Sequence, residues 1–373
     1  MVLSPQQPMS ASRIVQLDAL RGLAALVVVF NHLRNMFDSS PGPFYLQPFV
    51  SGGKSVMLFF VLSGYVLSLP YWRGRQPGYG TYLIRRICRI YLPYVAALCL
   101  AVLVGGGLLN AELPLSHWFY QTWHTPFSKA LVLHQLFFLN YQHGSMAINT
   151  AFWSLRYEME MSLIFPVVCY LISLLPSLGA VGFAVLIELI GMGEFHWISA
   201  RMPAELQTTI LWASAFVLGA ILAKERECIN AWYHRLPRPL HYLLLAVVAL
   251  AYYRGPGTTA TTNIPAACGV IILAEGCRAR FWLDSPIAEY LGKISYSLYL
   301  VHGTVLFGTF ILLYGKIPTW GVVGIYLALS FGLSHLFCEY IEIPSMKLGK
   351  WLTQRKRQSP VQLTQVEAAD EIA

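Results

Sequence analysis

Runs of about twenty apolar residues, separated by short polar stretches, recur along the whole chain. Runs of that length predict membrane-crossing helices, here at 14–34, 52–70, 86–107, 151–174, 178–198, 207–223, 240–254, 263–276, 293–314 and 320–343. The seventh and eighth are the shortest. The pattern predicts an all-α fold, a polytopic transmembrane helical bundle of about ten helices. Residues 1–12 form a cytoplasmic N-terminal segment and 13–346 the membrane domain. Residues 347–373 read as a polar, disordered cytoplasmic tail, basic at first and acidic at its end (Glu367, Asp370, Glu371).

Composition agrees with the pattern. The 373 residues are 56% hydrophobic and only 12% charged, about half the charge of a soluble domain of this length. A soluble protein could not hide that much apolar surface, so the chain is expected in a membrane. The net charge of +8 would suit a nucleic-acid partner, but the basic residues sit in short blocks between apolar runs. Topology explains that placement, and no nucleic acid is expected. With the N-terminus cytoplasmic, inside segments hold 18 of the 26 Lys and Arg residues and outside segments 6, while Arg21 and Arg156 fall within spans. The excess supports an N-in, C-in arrangement. No internal repeat is evident, and residues 1–12 carry no basic region of a cleavable signal peptide. None of the seven cysteines (Cys88, Cys99, Cys169, Cys228, Cys268, Cys277 and Cys338) falls in an outside segment, so disulfides are not expected.

Ionisable residues within spans need a partner or a task, because each costs roughly 2.5–3.5 kcal/mol near the bilayer centre. The first span holds Asp18, Arg21 and His32. Arg21 and His32 are eleven residues apart, close to three full turns, so they share a face about 16 Å apart along the axis. Asp18 lies one turn before Arg21 and is placed to pair with it. Arg21 can snorkel and His32 can satisfy a neighbouring helix, or the two can form a site. The fourth span opens with Arg156, Glu158 and Glu160; a pair between Arg156 and Glu160 leaves Glu158 to face the bundle. In the ninth span Ser295, Tyr299 and His302 form a stripe, and the third span is entered through Arg85, Arg86 and Arg89. That basic cluster suits phosphate groups or anionic lipid equally. Glu188, Glu275, His335 and Glu339 are further candidates without a role. The long outer segment 108–150 is rich in aromatics and histidines (His117, Trp118, Tyr120, Trp123, His124, His134). It reads as an interfacial belt or as a platform facing an acceptor; its histidines lack companions at metal-ligand spacing, and no metal is expected.

Five segments, in order, resemble acyltransferase family 3, the membrane O-acyltransferases. They are LDALRGLAALVVVFNH at 17–32, FFVLSGYVLS at 59–68, RRICR at 85–89, FWSLRYEMEMSLIFP at 152–166 and LGKISYSLYLVH at 291–302. The resemblance implies transfer of an acyl group, acetyl first among the candidates, from cytoplasmic acyl-CoA (acetyl-CoA) to a hydroxyl, often of a cell-surface carbohydrate. It carries the family's site residues onto Arg21, His32, Arg86, Arg89 and Glu158, and its S-G-F/Y element onto Ser63-Gly64-Tyr65. Met161 and Ser162 stand where an aromatic pair is common in the family, and the chain has a short tail where some relatives carry a soluble domain.

On that basis His32 is the expected base, with Arg21 and Glu158 as its catalytic companions. Glu158 would orient His32 or bind the acceptor. Arg85, Arg86 and Arg89 would grip the phosphates of acyl-CoA, and Tyr299, His302 and Trp153 are candidate substrate-contacting residues. The expected partners are membrane lipid, acyl-CoA and a carbohydrate or other hydroxyl acceptor, at the plasma membrane (the inner membrane of a bacterium). Buried Arg, His and Glu would also suit a multi-pass transporter or flippase. Against that stand the missing inverted repeat and the arginine cluster, which such a carrier does not need.

Overall fold

The computed structural model describes residues 15–37, 51–139, 146–254, 260–276 and 283–355. The N-terminal segment 1–12, Cys277 and the tail beyond residue 355 lie outside the described residues. Helix dominates, and no strand occurs among the described residues. The principal helices are α1 (Val15–Phe37), α2 (Gly52–Trp72), α3 (Tyr79–Gly106), α4 (Trp153–Leu174), α5 (Ser177–Met192), α6 (Ala204–Lys224), α7 (Arg238–Arg254), α8 (Ala260–Gly276), α9 (Pro286–Leu313), α10 (Thr319–Phe337) and α11 (Ile343–Arg355). Among the described residues seven helical stretches are long and apolar enough to cross a bilayer: α1, α2, α3, α4, α6, α9 and the continuous run that begins with α10. Shorter apolar helices stand at Ser177–Met192, Arg238–Tyr252 and Asn263–Gly276. Each expected apolar run is therefore helical over most of its length, and the chain is a multi-pass membrane protein.

Several boundaries differ from the sequence reading: α3 starts at Tyr79 rather than 86, and α5 ends at Met192 rather than 198, where Gly193 takes a left-handed conformation. Helix α9 starts at Pro286, several residues before 293, because Ser285 caps it by accepting from the Ala288 amide and proline suits the first turn. At the other end, helix α11 runs to Arg355, into the stretch read as the start of a polar tail.

Glycines set two tight crossings that frame the site. Helix α1 packs along α9, and a Cβ on Gly22 would lie 2.6 Å from the Gly292 amide nitrogen, while one on Gly292 would lie 2.6 Å from the Asp18 carbonyl. Helices α2 and α6 meet in the same way: Gly64 abuts the Phe216 carbonyl and Gly219 the Val61 carbonyl. In lipid, close backbone approach through small residues replaces the hydrophobic drive of a soluble core. The Asp18 carbonyl, one turn before Arg21, thereby lies close to α9, and Ser63, next to Gly64, is buried. Among the described residues two π-helical turns interrupt the bundle, Ile87–Tyr91 in α3 and Cys338–Glu342 between α10 and α11. Such turns change the phase of a helix and are frequent at functional sites.

Candidate active site

A cavity of about 480 Å³ opens among α1, α2, α3, α4, α9 and the π turn that precedes α11. Its size falls within the range of small-molecule sites, roughly 300–1,000 Å³. Three arginines converge on it, Arg21, Arg86 and Arg89, with the carboxylates Asp18, Glu158 and Glu342 among them. Arg21 lies 3.8 Å from Asp18, as the one-turn spacing predicted. Arg86 reaches Glu158 at 3.3 Å and Ser162 Oγ at 2.9 Å. Arg89 directs Nη1 toward the thioether of Met346 at 2.7 Å, a weak acceptor that leaves most of its donor capacity unused.

Glu158 faces the bundle, as expected, but its partners are Arg86 and Ser63, which donates at 3.3 Å. No bond joins it to His32, so an orienting role for Glu158 has no geometric support. Arg156 does pair with Glu160, at 2.6 Å, and also meets Glu205 at 3.3 Å. Arg85 parts from its neighbours: it is exposed, bonds Thr353 Oγ1 at 3.0 Å and does not line the cavity. Trp153 also lies outside the lining, against the rings of Tyr157 and Trp212.

The inner end of the cavity is walled by Phe59, Ser154 and Tyr299. Tyr299 is held by a 2.7 Å hydrogen bond between its hydroxyl and Ser154 Oγ. Its other side lies 6.0 Å, ring centre to ring centre, from His302. His32 sits beyond that wall, bonded through Nδ1 to His302 Nε2 at 2.9 Å and within 3.3 Å of Thr150 Oγ1. Trp118, from the segment that follows α3, covers the His32 ring at 5.2 Å. The structure thus brings Arg21, Arg86, Arg89, Glu158 and Tyr299 to one cavity and sets His32 and His302 one ring further on.

The sequence reading missed the carboxylate that α10 leads into the cavity. Glu342 is buried and accepts from Ser297 Oγ at 2.7 Å, whereas the candidate Glu339 lies on the surface paired with Lys293. A regular helix would put residues three apart on neighbouring positions of one face; the π turn separates them. Of the remaining candidates, Glu275 accepts from Tyr65 and pairs with Arg226, His335 meets Tyr290, and Glu188 is buried on α5 away from the cavity. Among the described residues no three His, Cys, Asp or Glu side chains cluster as metal ligands would.

The model of an acyltransferase domain, that of acyltransferase family 3, matches residues 14–339, from the start of α1 into the π turn that ends at Glu342. The chain belongs to acyltransferase family 3. Acyltransferase MdmB of Streptomyces mycarofaciens is 26% identical over 333 residues, covering 79% of this chain and 80% of that protein. Protein 2 in the picA locus of Rhizobium radiobacter is 38% identical over 91 residues, 24% of this chain and 44% of that protein, so the match spans less than half of that relative. No solved structure matches. Membership of acyltransferase family 3 makes the protein a membrane-embedded transferase of acyl groups.

Proposed function

We propose that the protein is an O-acyltransferase of the plasma membrane. It moves an acyl group, acetyl first among the candidates, from cytoplasmic acyl-CoA to a hydroxyl of a carbohydrate or another cell-surface acceptor. The observation that carries this reading is the convergence of Arg21, Arg86 and Arg89 on one cavity whose inner wall adjoins the His32–His302 pair. The seven long helices and three shorter apolar ones among the described residues suit ten spans. The 18-to-6 division of Lys and Arg supports N-in, C-in, with the arginine end of the cavity toward the cytoplasm.

In this reading Arg86 and Arg89 hold the donor's phosphates and Glu158 keeps Arg86 in place. Arg21 lies along the pantetheine arm, and the thioester reaches His32 past Tyr299. His32 takes the proton of the acceptor hydroxyl as that oxygen attacks the thioester carbonyl carbon. The carbon–sulfur bond then breaks, and the leaving thiolate receives the proton from His32. One ester and one free CoA thiol result, with no proton gained or lost.

The test is thiol release from acetyl-CoA in vesicles of the membrane in which the protein naturally resides. His32→Ala should abolish release that depends on this protein while leaving its thermal unfolding unchanged. Near-normal release from that variant would remove His32 from the chemistry.

A further inference from the structure

We infer that His302 is the positioning residue for His32: it fixes which nitrogen of His32 carries the proton, leaving Nε2 free as the base. The inference rests on the reading of His32 as the base.

The hydrogen bonds form a chain whose direction only one arrangement satisfies. His302 is fully buried in α9, and its Nδ1 lies 2.9 Å from the carbonyl oxygen of Leu298, one turn earlier. A carbonyl can only accept, so Nδ1 of His302 carries the hydrogen. A neutral imidazole with a protonated Nδ1 presents a lone pair at Nε2. That lone pair faces Nδ1 of His32 at 2.9 Å. His32 must therefore donate from Nδ1, which leaves its own Nε2 unprotonated.

Ring geometry supports the chain. The imidazole planes are near parallel, 22° apart, with centroids at 5.0 Å. They meet edge to edge, as an N–H···N bond requires; face-to-face rings could not combine that separation with a 2.9 Å nitrogen contact. The Trp118 indole, 5.2 Å from the His32 ring, limits rotation of His32 from a second direction. Thr150 Oγ1, at 3.3 Å from the same Nδ1, is a second and longer acceptor.

The arrangement also suits turnover. When Nε2 gains a proton, the His32–His302 hydrogen bond becomes charge-assisted and shortens. A neutral histidine in this place favours the imidazolium without a buried carboxylate, whose desolvation is costly. Sequence spacing placed His302 among substrate contacts; its two nitrogens are instead engaged by Leu298 and His32.

Three substitutions separate positioning from packing. In His302→Gln, the amide oxygen can occupy the place of Nε2 and accept from His32. His302→Asn has the same chemistry one methylene short, and His302→Leu has no acceptor. Thiol release from acetyl-CoA is measured in the vesicles, beside thermal unfolding of each purified variant. The Asn and Leu variants should lose about 100-fold in kcat, within the usual contribution of a positioned base, with the KM for acetyl-CoA within about twofold. The Gln variant should recover at least about a tenth of the normal kcat on the same grounds.

Near-normal turnover in His302→Leu would overturn the proposal, as would a Gln variant as inactive as Asn while melting normally. If the Leu variant does not fold, the Gln and Asn pair decides alone. His32→Ala serves as the control. If it is inactive while His302→Leu is normal, only the positioning role falls; if it is active, the reading of His32 falls and the proposal with it.

Discussion

Arg85 and Arg89 are one helical turn apart and look equivalent in sequence, yet the structure gives them opposite surroundings. Arg89 lines the cavity with a thioether as its hydrogen-bond partner, so its guanidinium can take a phosphate without breaking a strong bond. A hydrogen bond to a charged group contributes about 1.5–3 kcal/mol, and 1.4 kcal/mol is about tenfold in affinity. Arg89→Ala should therefore raise the KM for acetyl-CoA by about 10- to 150-fold, with kcat little changed. Arg85 is exposed and occupied by Thr353. An exposed charge of that kind contributes at most about 1 kcal/mol, or about fivefold. Arg89→Lys should fall between, because an ammonium keeps the charge but not the forked geometry. The assay is initial-rate thiol release at varied acetyl-CoA. Equal shifts for the Arg85 and Arg89 variants, or an Arg89 effect confined to the acceptor, would refute a donor grip built from the cavity arginines.

Two further predictions concern the frame of the site. Gly64→Ala places a methyl group against the Phe216 carbonyl on α6 and should cost about 1–3 kcal/mol of stability; Gly182→Ala, with nothing near its Cβ, should be neutral or slightly stabilising. Melting in one detergent compares them, and equal midpoints would mean that the α2–α6 crossing tolerates a side chain. Glu342→Ala removes the acceptor of the buried Ser297 hydroxyl and should cost about 1–3 kcal/mol, whereas Glu339→Ala on the surface should stay within about 0.5 kcal/mol. The reverse order would place the wrong glutamate in the cavity.

The helices were legible because a bilayer demands apolar runs of a set length, and Arg21, Arg86 and Glu158 stood out as charges within or beside such runs. What the chain did not disclose depended on phase and on contacts between distant helices. A π turn has no residue signature, so Glu339 drew attention where Glu342 was the buried one. The helical wheel put Arg85 and Arg89 together; the Thr353 hydroxyl on α11 draws Arg85 away from the cavity. Trp153, a candidate substrate contact in the sequence, packs instead against Tyr157 and Trp212. The His32–His302 bond joins residues 270 positions apart, and only the packed helices reveal it.

The crossing of Gly22 with Gly292 carries a constraint that reaches beyond local packing. Ten residues separate Gly22 from His32 on α1, and ten separate Gly292 from His302 on α9. The two helices therefore run parallel like matched rulers, pinned at the glycines and read at the histidines. A single residue added to one alone would slide its histidine by about 1.5 Å and turn it by roughly 100°, which would part the pair. Natural variants of this enzyme that change the length of one segment are expected to change the other by the same count.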